Sequence, residues 1–161
     1  MKGVHITNDI YYVGVNDRKK HLFENNWPLP QGVSYNSYLI KDTKTALIDT
    51  IEYGSNDNYL NTIEALLEGA PLDYLVVNHM EPDHSANIAN FMNEYPEAVI
   101  VSSAKAFVMM KNFYGNDFPD NSIVVGEGSK LDLGGRELTF ITAPMVHWPE
   151  VIVTYDSTDK V

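Results

Sequence analysis

The middle of the chain alternates strands with helices, and this alternation constrains the fold more than any other feature. Short apolar runs that predict strands in this region are TALIDT, LDYLVVN and AVIVSS, at residues 45–50, 72–78 and 98–103. After each of them, apolar residues recur at helical spacing, over residues 56–69, 85–96 and 104–115. Strands that alternate with helices predict a sheet covered by helices, so we expect a layered α/β or α+β domain.

Local signals mark the ends of these helices. Gly69 and Gly115 each close a helical stretch, because glycine readily adopts the left-handed conformation that ends a helix. Asp83 or Ser85 is a candidate N-cap for the middle helix, since both side chains can accept a backbone N–H.

The two ends of the chain are richer in strands. VHIT and IYYVGV predict two opening strands, and YNSYLI predicts a hairpin partner for TALIDT. An irregular stretch follows the opening strands at 16–34, and connections that long tend to be functional. SIVV at 122–125, RELTFITA and VIVTYD predict three closing strands. Because the last of them would leave an open sheet edge close to Val161, we expect this chain to be part of a longer protein.

Composition excludes several classes of function. The 161 residues suffice for one domain with a sizeable core, and none of them is cysteine, so a bound metal must use His, Asp and Glu. The net charge of −11 repels phosphate backbones and disfavours a nucleic-acid partner. No apolar run approaches the roughly 20 residues of a membrane span, and the N-terminus lacks a signal peptide. We therefore expect a cytoplasmic protein without a membrane partner.

The segment VVNHMEPDHSAN concentrates four side chains of the metal-ligating types on one turn: His79, Glu81, Asp83 and His84. It follows a predicted strand and precedes a predicted helix, which is where sites concentrate in α/β layers. Pro82 favours an extended backbone at the residue before it, which would turn the first two side chains to one side. The other two then point to an adjacent position, so one loop could serve two neighbouring metal ions. The alternative is a capped helix with solvated polar groups.

A further histidine follows a later strand. His147 lies in APMVHWPE, between Pro144 and Pro149, and it could complete the cluster or be a partly buried core histidine. Trp148 next to it is expected to form a wall of the pocket rather than to react. His21, in the irregular stretch, is either near the pocket or an exposed loop residue.

These motifs resemble the metallo-β-lactamase-like domain of flavodiiron proteins, also called A-type flavoproteins. The likeness runs from HLFENNWPLPQGVSYNSYLI through HMEPDH to APMVHWPE and covers nearly the whole chain. It implies an αββα sandwich, of which we expect residues 1–161 to form roughly the first two-thirds, with a flavodoxin-like FMN domain outside this chain. It also implies that His79, Glu81 and His147 bind one iron. Asp83 and His84 would bind the other, with His21 reaching the pocket without being a constant ligand.

The function that the resemblance implies is reduction of dioxygen to water, of nitric oxide to nitrous oxide, or both. A rubredoxin-like or NADH-dependent donor would supply electrons through FMN to a diiron centre, within a head-to-tail homodimer.

Two rival interpretations remain open. One is a zinc-dependent hydrolase of the same fold, which would normally carry histidine where this chain has Glu81. A carboxylate in place of one imidazole makes the site harder and more anionic, which suits redox-active iron. The other is a catalytically incomplete fragment or a metal-free module that keeps the fold for partner binding.

Overall fold

The computed structural model describes residues 3–54 and 56–161. Its strands, in chain order, are β1 Val4–His5, β2 Ile10–Tyr12, β3 Val15–Asp17, β4 Leu22–Phe23, β5 Trp27–Pro28, β6 Val33–Tyr35, β7 Tyr38–Ile40, β8 Ala46–Ile48, β9 Tyr74–Val76, β10 Val99–Ser103, β11 Ser122–Val125, β12 Lys130–Asp132, β13 Glu137–Thr142 and β14 Ile152–Asp156. Its helices are α1 Asn56–Leu67, α2 Pro82–Ser85, α3 Ile88–Glu94 and α4 Ala104–Tyr114.

A mixed seven-stranded sheet organises the fold, in the order β1-β2-β7-β8-β9-β10-β11. Strands β8 to β11 are parallel, and β1, β2, β7 and β8 pair antiparallel. The helices lie in the connections between parallel strands: α1 follows β8, α2 and α3 follow β9, and α4 follows β10. The layered α/β prediction is therefore confirmed.

The two faces of this sheet bury two different cores, because successive side chains of a strand point to opposite faces. Leu39, Leu47, Leu75 and Ile100 are fully buried in the core that also contains the apolar faces of α1, α3 and α4. Their neighbours Ile40, Ile48, Val76 and Val101 belong to the second core. Near-continuous apolar strands such as LDYLVVN are what a sheet covered on both faces requires.

A small antiparallel sheet, β12-β13-β14, forms the third layer. Its Leu138, Phe140 and Ile152 are buried in the second core, opposite the large sheet. Ile152 N–H donates to the carbonyl of Asn78 at 3.0 Å, and the Thr154 hydroxyl donates to the Asn78 side chain at 2.7 Å. The small sheet is thus fastened to the segment that follows β9.

The predicted helix at 85–96 is wrong in its bounds, because α3 covers only Ile88–Glu94 and a separate short helix, α2, precedes it at Pro82–Ser85. The N-cap prediction is wrong as well: Glu81 occupies the cap position of α2, and Asn87 that of α3. Ser85 instead donates its hydroxyl to the Met80 carbonyl at 2.8 Å, and the Asn87 amide donates to the Ile51 carbonyl at 2.7 Å. These tertiary hydrogen bonds outweigh the helical spacing.

The predicted end of the helix over residues 104–115 is confirmed. Helix α4 ends at Gly115, which has a left-handed φ of 72°. The irregular stretch at 16–34 contains the short ribbons β3-β6 and β4-β5, which its polar composition did not predict. Across the two described ranges, every helix falls short of the length and apolar character that a bilayer crossing needs.

Candidate metal centre

The loop after β9 carries the predicted ligands at the carboxyl end of the parallel strands. Strand β9 lies between β8 and β10, so Leu75 and Val76 are fully buried, and the polar residues of the loop begin only after the strand ends. Glu81 has an extended backbone, with φ −62° and ψ 144°, immediately before Pro82. This conformation agrees with the effect expected of the proline.

Three of the predicted residues converge on one point. Nε2 of His79 lies 3.1 Å from Oε2 of Glu81 and 3.3 Å from Nε2 of His147. Nε2 of His147 lies 2.9 Å from the same Glu81 oxygen. One potential ligand atom from each residue falls within 4.8 Å of the others. Residues 68 positions apart in sequence are thereby brought to a common centre.

This cluster is buried on one side and open on the other. His79 and Glu81 are 8% and 5% exposed, whereas the side chain of His147 is 67% exposed. The half-buried Trp148 ring stands edge-on to His79 with the ring centroids 5.2 Å apart, so it contacts this histidine as the expected wall residue would. A small molecule would reach the centre past His147.

Asp83 and His84 form a second pair next to this cluster. Oδ2 of Asp83 lies 3.6 Å from Nε2 of His84, and the ring of His84 is 5.2 Å from that of His79 between centroids. The other oxygen of Asp83, Oδ1, is buried and has no hydrogen-bond partner. Burial raises the pKa of Asp83, although the neighbouring His84 opposes the shift. A buried carboxylate oxygen without a donor is the atom that a cation would satisfy.

Asp49 supports this second pair, and the sequence analysis did not identify it. It follows β8 directly, is buried, and places Oδ2 3.1 Å from Nδ1 of His84. Its Oδ1 accepts the backbone N–H of Asn78 at 2.6 Å. Burial by itself would lower the pKa of His84, but the hydrogen bond and charge of Asp49, with the charge of Asp83, raise it overall.

Glu150 has the same relationship to His79 and was also missed. Its Oε1 lies 2.7 Å from Nδ1 of His79 and accepts the Met80 backbone N–H at 2.9 Å. Each histidine of the β9 loop therefore has a buried carboxylate at Nδ1. The available signals were the acidic residues directly after TALI and within HWPE, but neither shows which histidine it would reach.

His21 lies apart from these contacts. It is exposed at the start of the β4-β5 ribbon, and its backbone carbonyl accepts the N–H of Leu29 at 2.8 Å. Within the described residues its side chain makes no hydrogen bond, ion pair or ring contact with the five predicted ligands. Its role in the pocket stays a prediction.

Comparison with known proteins places this geometry in a family. A family model described as "ODP family beta lactamase" matches residues 33–161. The chain belongs to this family. The resemblance to flavodiiron proteins that HMEPDH and APMVHWPE indicated is confirmed, because relatives and solved structures of that name match over almost the whole chain.

Three similar proteins illustrate the range of this ODP-family likeness. A nitric oxide reductase of Moorella thermoacetica is 39% identical over 94% of this chain and 38% of its own length. The flavodiiron protein of Giardia intestinalis has a TM-score of 0.90 at 29% identity, over 99% of this chain and 38% of that one. Rubredoxin oxygen:oxidoreductase of Desulfovibrio gigas has a TM-score of 0.88 at 30% identity, over 98% of this chain and 39% of that one. The chain spans 24% to 40% of the length of its curated relatives.

The donor set of this ODP-family chain fits a metal. His79, Glu81 and His147 offer two imidazoles and one carboxylate, a combination found in non-haem iron sites with open positions. Asp83 and His84 offer one more of each type, and the unpartnered Asp83 oxygen lies among them. A carboxylate faces Nδ1 of each of the two histidines, which is the position that supporting groups commonly take at metal sites.

Proposed function

We propose that this chain is the diiron module of an oxidoreductase that reduces nitric oxide to nitrous oxide, dioxygen to water, or both. The observation that carries the proposal is the position of Glu81, whose Oε2 lies 3.1 Å and 2.9 Å from the nitrogens of two histidines. A third imidazole at this position would favour zinc and hydrolysis, whereas the mixed set favours iron. The names of two similar proteins, nitric oxide reductase and rubredoxin oxygen:oxidoreductase, agree with reductive chemistry.

In this proposal His79, Glu81 and His147 hold one iron, and Asp83 and His84 hold the other. The two irons, when bound, supply the electrons and the open coordination positions at which the gas is reduced. The protein groups have simpler tasks: the buried carboxylates orient the imidazoles, and the Trp148 ring packs against His79. The exposed side at His147 admits a small uncharged substrate.

Electron delivery requires groups outside these residues. We propose that FMN on a flavodoxin-like domain outside this chain passes electrons from a rubredoxin-like or NADH-dependent donor. A head-to-tail homodimer would bring the flavin of one subunit to the irons of the other. Cytoplasmic location stays an expectation from the sequence.

Metal analysis tests the central point. The protein encoded by the complete reading frame is purified anaerobically, its iron and zinc are quantified, and its consumption of nitric oxide and of dioxygen is measured with a reductant. We expect the iron content to exceed the zinc content and the rate of gas consumption to depend on the bound iron. Zinc without iron, together with hydrolysis of a thioester or phosphodiester, would instead support the hydrolase interpretation.

A further inference from the structure

Both ring nitrogens of His79 face carboxylates, so the single proton of the neutral ring can lie at either of two positions. Nδ1 lies 2.7 Å from Oε1 of Glu150, and Nε2 lies 3.1 Å from Oε2 of Glu81. Carboxylates only accept hydrogen bonds, and a neutral imidazole carries a single N–H. The two glutamates therefore compete for one ring proton.

The outcome decides whether His79 can bind a metal toward the cluster. With the proton on Nε2, the nitrogen next to Glu81 and His147 donates to Glu81 and offers no lone pair. With the proton on Nδ1, Nε2 presents its lone pair to the point where the three residues meet. Only the second tautomer leaves this point available to a cation.

Three observations favour Glu150 in this competition. Its distance is the shorter, and its side chain is fully buried, so water cannot replace a lost donor. Its second oxygen, Oε2, is buried without a partner, which leaves its charge dependent on the donors at Oε1. Glu81 has an alternative donor, because Nε2 of His147 lies 2.9 Å from it. Loss of the His79 donor would leave the fully buried Glu150 carboxylate with the Met80 N–H alone, whereas Glu81 would keep the His147 donor and some contact with solvent.

The backbone keeps Glu150 in this position. Its carbonyl accepts the Ser103 hydroxyl at 2.8 Å, and the Met80 N–H donates to its Oε1 at 2.9 Å. Ser103 is also the N-cap of α4, where its hydroxyl accepts the N–H of Ala106. The carboxylate is thus fixed relative to both β10 and the β9 loop before any ligand binds.

We propose that Glu150 is a positioning residue that holds the proton of His79 on Nδ1 and so turns Nε2 into a metal ligand. The role as ligand rests on the proposed diiron function, whereas the choice of tautomer does not. The loop that supplies His147 therefore also carries, three residues later, the glutamate that orients His79.

Nitrogen-15 spectra of the histidine rings test the tautomer in the protein encoded by the complete reading frame, after removal of its metal and at a pH where His79 is neutral. We expect the proton on Nδ1 in the wild type and in Glu150→Gln. In that variant the Met80 N–H keeps the amide oxygen, not the NH₂ group, at the position next to Nδ1. In Glu150→Met, which has similar volume and no comparable acceptor, we expect the proton on Nε2. Glu81→Gln, which removes the competing carboxylate, should leave it on Nδ1, and the wild-type spectrum tests the tautomer even if Glu150→Met fails to fold. A proton on Nε2 in the wild type, or on Nδ1 in Glu150→Met, would overturn the proposal.

Metal affinity provides the second readout, measured by competition of Co²⁺ between the chain and a chelator. Loss of supporting groups at metal sites costs about 10- to 100-fold in affinity, so Glu150→Met should bind that much more weakly, with partial rescue in Glu150→Gln. Glu127→Gln is the matched control, because Glu127 also accepts a backbone N–H but is exposed and lies on another turn. Equal affinity of Glu150→Met and wild type would refute the positioning role. A wild-type chain that binds no metal would count against the proposed diiron centre, and the spectra alone would then decide the tautomer.

Discussion

The carboxylate of Asp49 lies 3.1 Å from Nδ1 of His84 and at the same time accepts the backbone N–H of Asn78. It therefore connects the end of β8 to both the beginning of the β9 loop and the short helix that follows it. Since a carboxylate is only an acceptor, a hydrogen bond at Nδ1 leaves Nε2 of His84 facing Asp83 without a proton in the neutral ring.

Asp49→Asn should weaken metal binding at the Asp83–His84 pair by about 10- to 100-fold. The amide oxygen would keep the Asn78 N–H, so its NH₂ would face Nδ1 and reverse the tautomer of His84. Competition with a chelator measures the loss. Asp132→Asn is the control, because Asp132 also accepts a backbone N–H, that of Gly134, in an exposed turn. Equal losses in the two variants would contradict the argument.

Metal binding at the same pair should weaken as the pH falls, beginning above the ordinary histidine pKa of about 6.5. Asp49 and Asp83 raise the pKa of His84, so protons compete with the metal at a higher pH than for an isolated imidazole. Co²⁺ titrations at a series of pH values give the midpoint pH at which proton binding begins to lower the metal affinity. In Asp49→Asn this midpoint pH should move down, because the partner that most stabilises the imidazolium is removed. An unchanged midpoint pH would show that Asp49 does not set the proton affinity of His84.

Glu81→His should change which metal the protein retains. Three imidazoles around one centre favour zinc, so we expect the zinc-to-iron ratio after expression to rise by about tenfold. Elemental analysis of the anaerobically purified variant and wild type gives the ratio. Glu137→Gln, an exposed glutamate paired with Lys130, is a suitable control. If both proteins carry the same ratio, Glu81 does not select the metal.

Arg136→Ala should destabilise the fold by about 3–5 kcal/mol at neutral pH, because it leaves buried Asp156 without its cation. The Arg136 guanidinium also pairs with Asp9 and Asp159. Urea unfolding measures the change, and Lys130→Ala, which breaks an exposed pair, should cost at most about 1 kcal/mol.

The penalty of Arg136→Ala should shrink as the pH falls below about 4, the ordinary pKa of an aspartate. The Thr7 hydroxyl and then Arg136 lower the pKa of Asp159, so the stability from this carboxylate is present above its ordinary pKa and is lost as it becomes protonated. A penalty that is constant between neutral and acidic pH would show that lost packing, not charge, is responsible.

The sequence was sufficient to predict elements whose signals are local. Alternating apolar runs placed the parallel strands, and Gly115 placed the end of α4. The break between α2 and α3 was not predictable, because it depends on the Asn87 amide reaching the carbonyl of Ile51, a contact that exists only after β8 and β9 are paired.

The site shows the same division. HMEPDH and His147 were recognisable from residue type and spacing, and the structure brings His79, Glu81 and His147 together. Asp49 and Glu150 were missed, because a lone acidic residue after a strand has many structural roles. Their relationship to the histidines follows from the order of the strands and from the position of the small sheet, which no local pattern encodes.

The three converging residues come from different layers: His79 and Glu81 follow a strand of the large sheet, and His147 lies between two strands of the small one. An ion held by all three would act as a cross-link between the sheets across the second core. Its removal would loosen β13 and β14 first, ahead of β8 to β10. Amide hydrogen exchange in β14 would then report whether the metal is bound, although none of the proposed metal-binding residues lies in this strand.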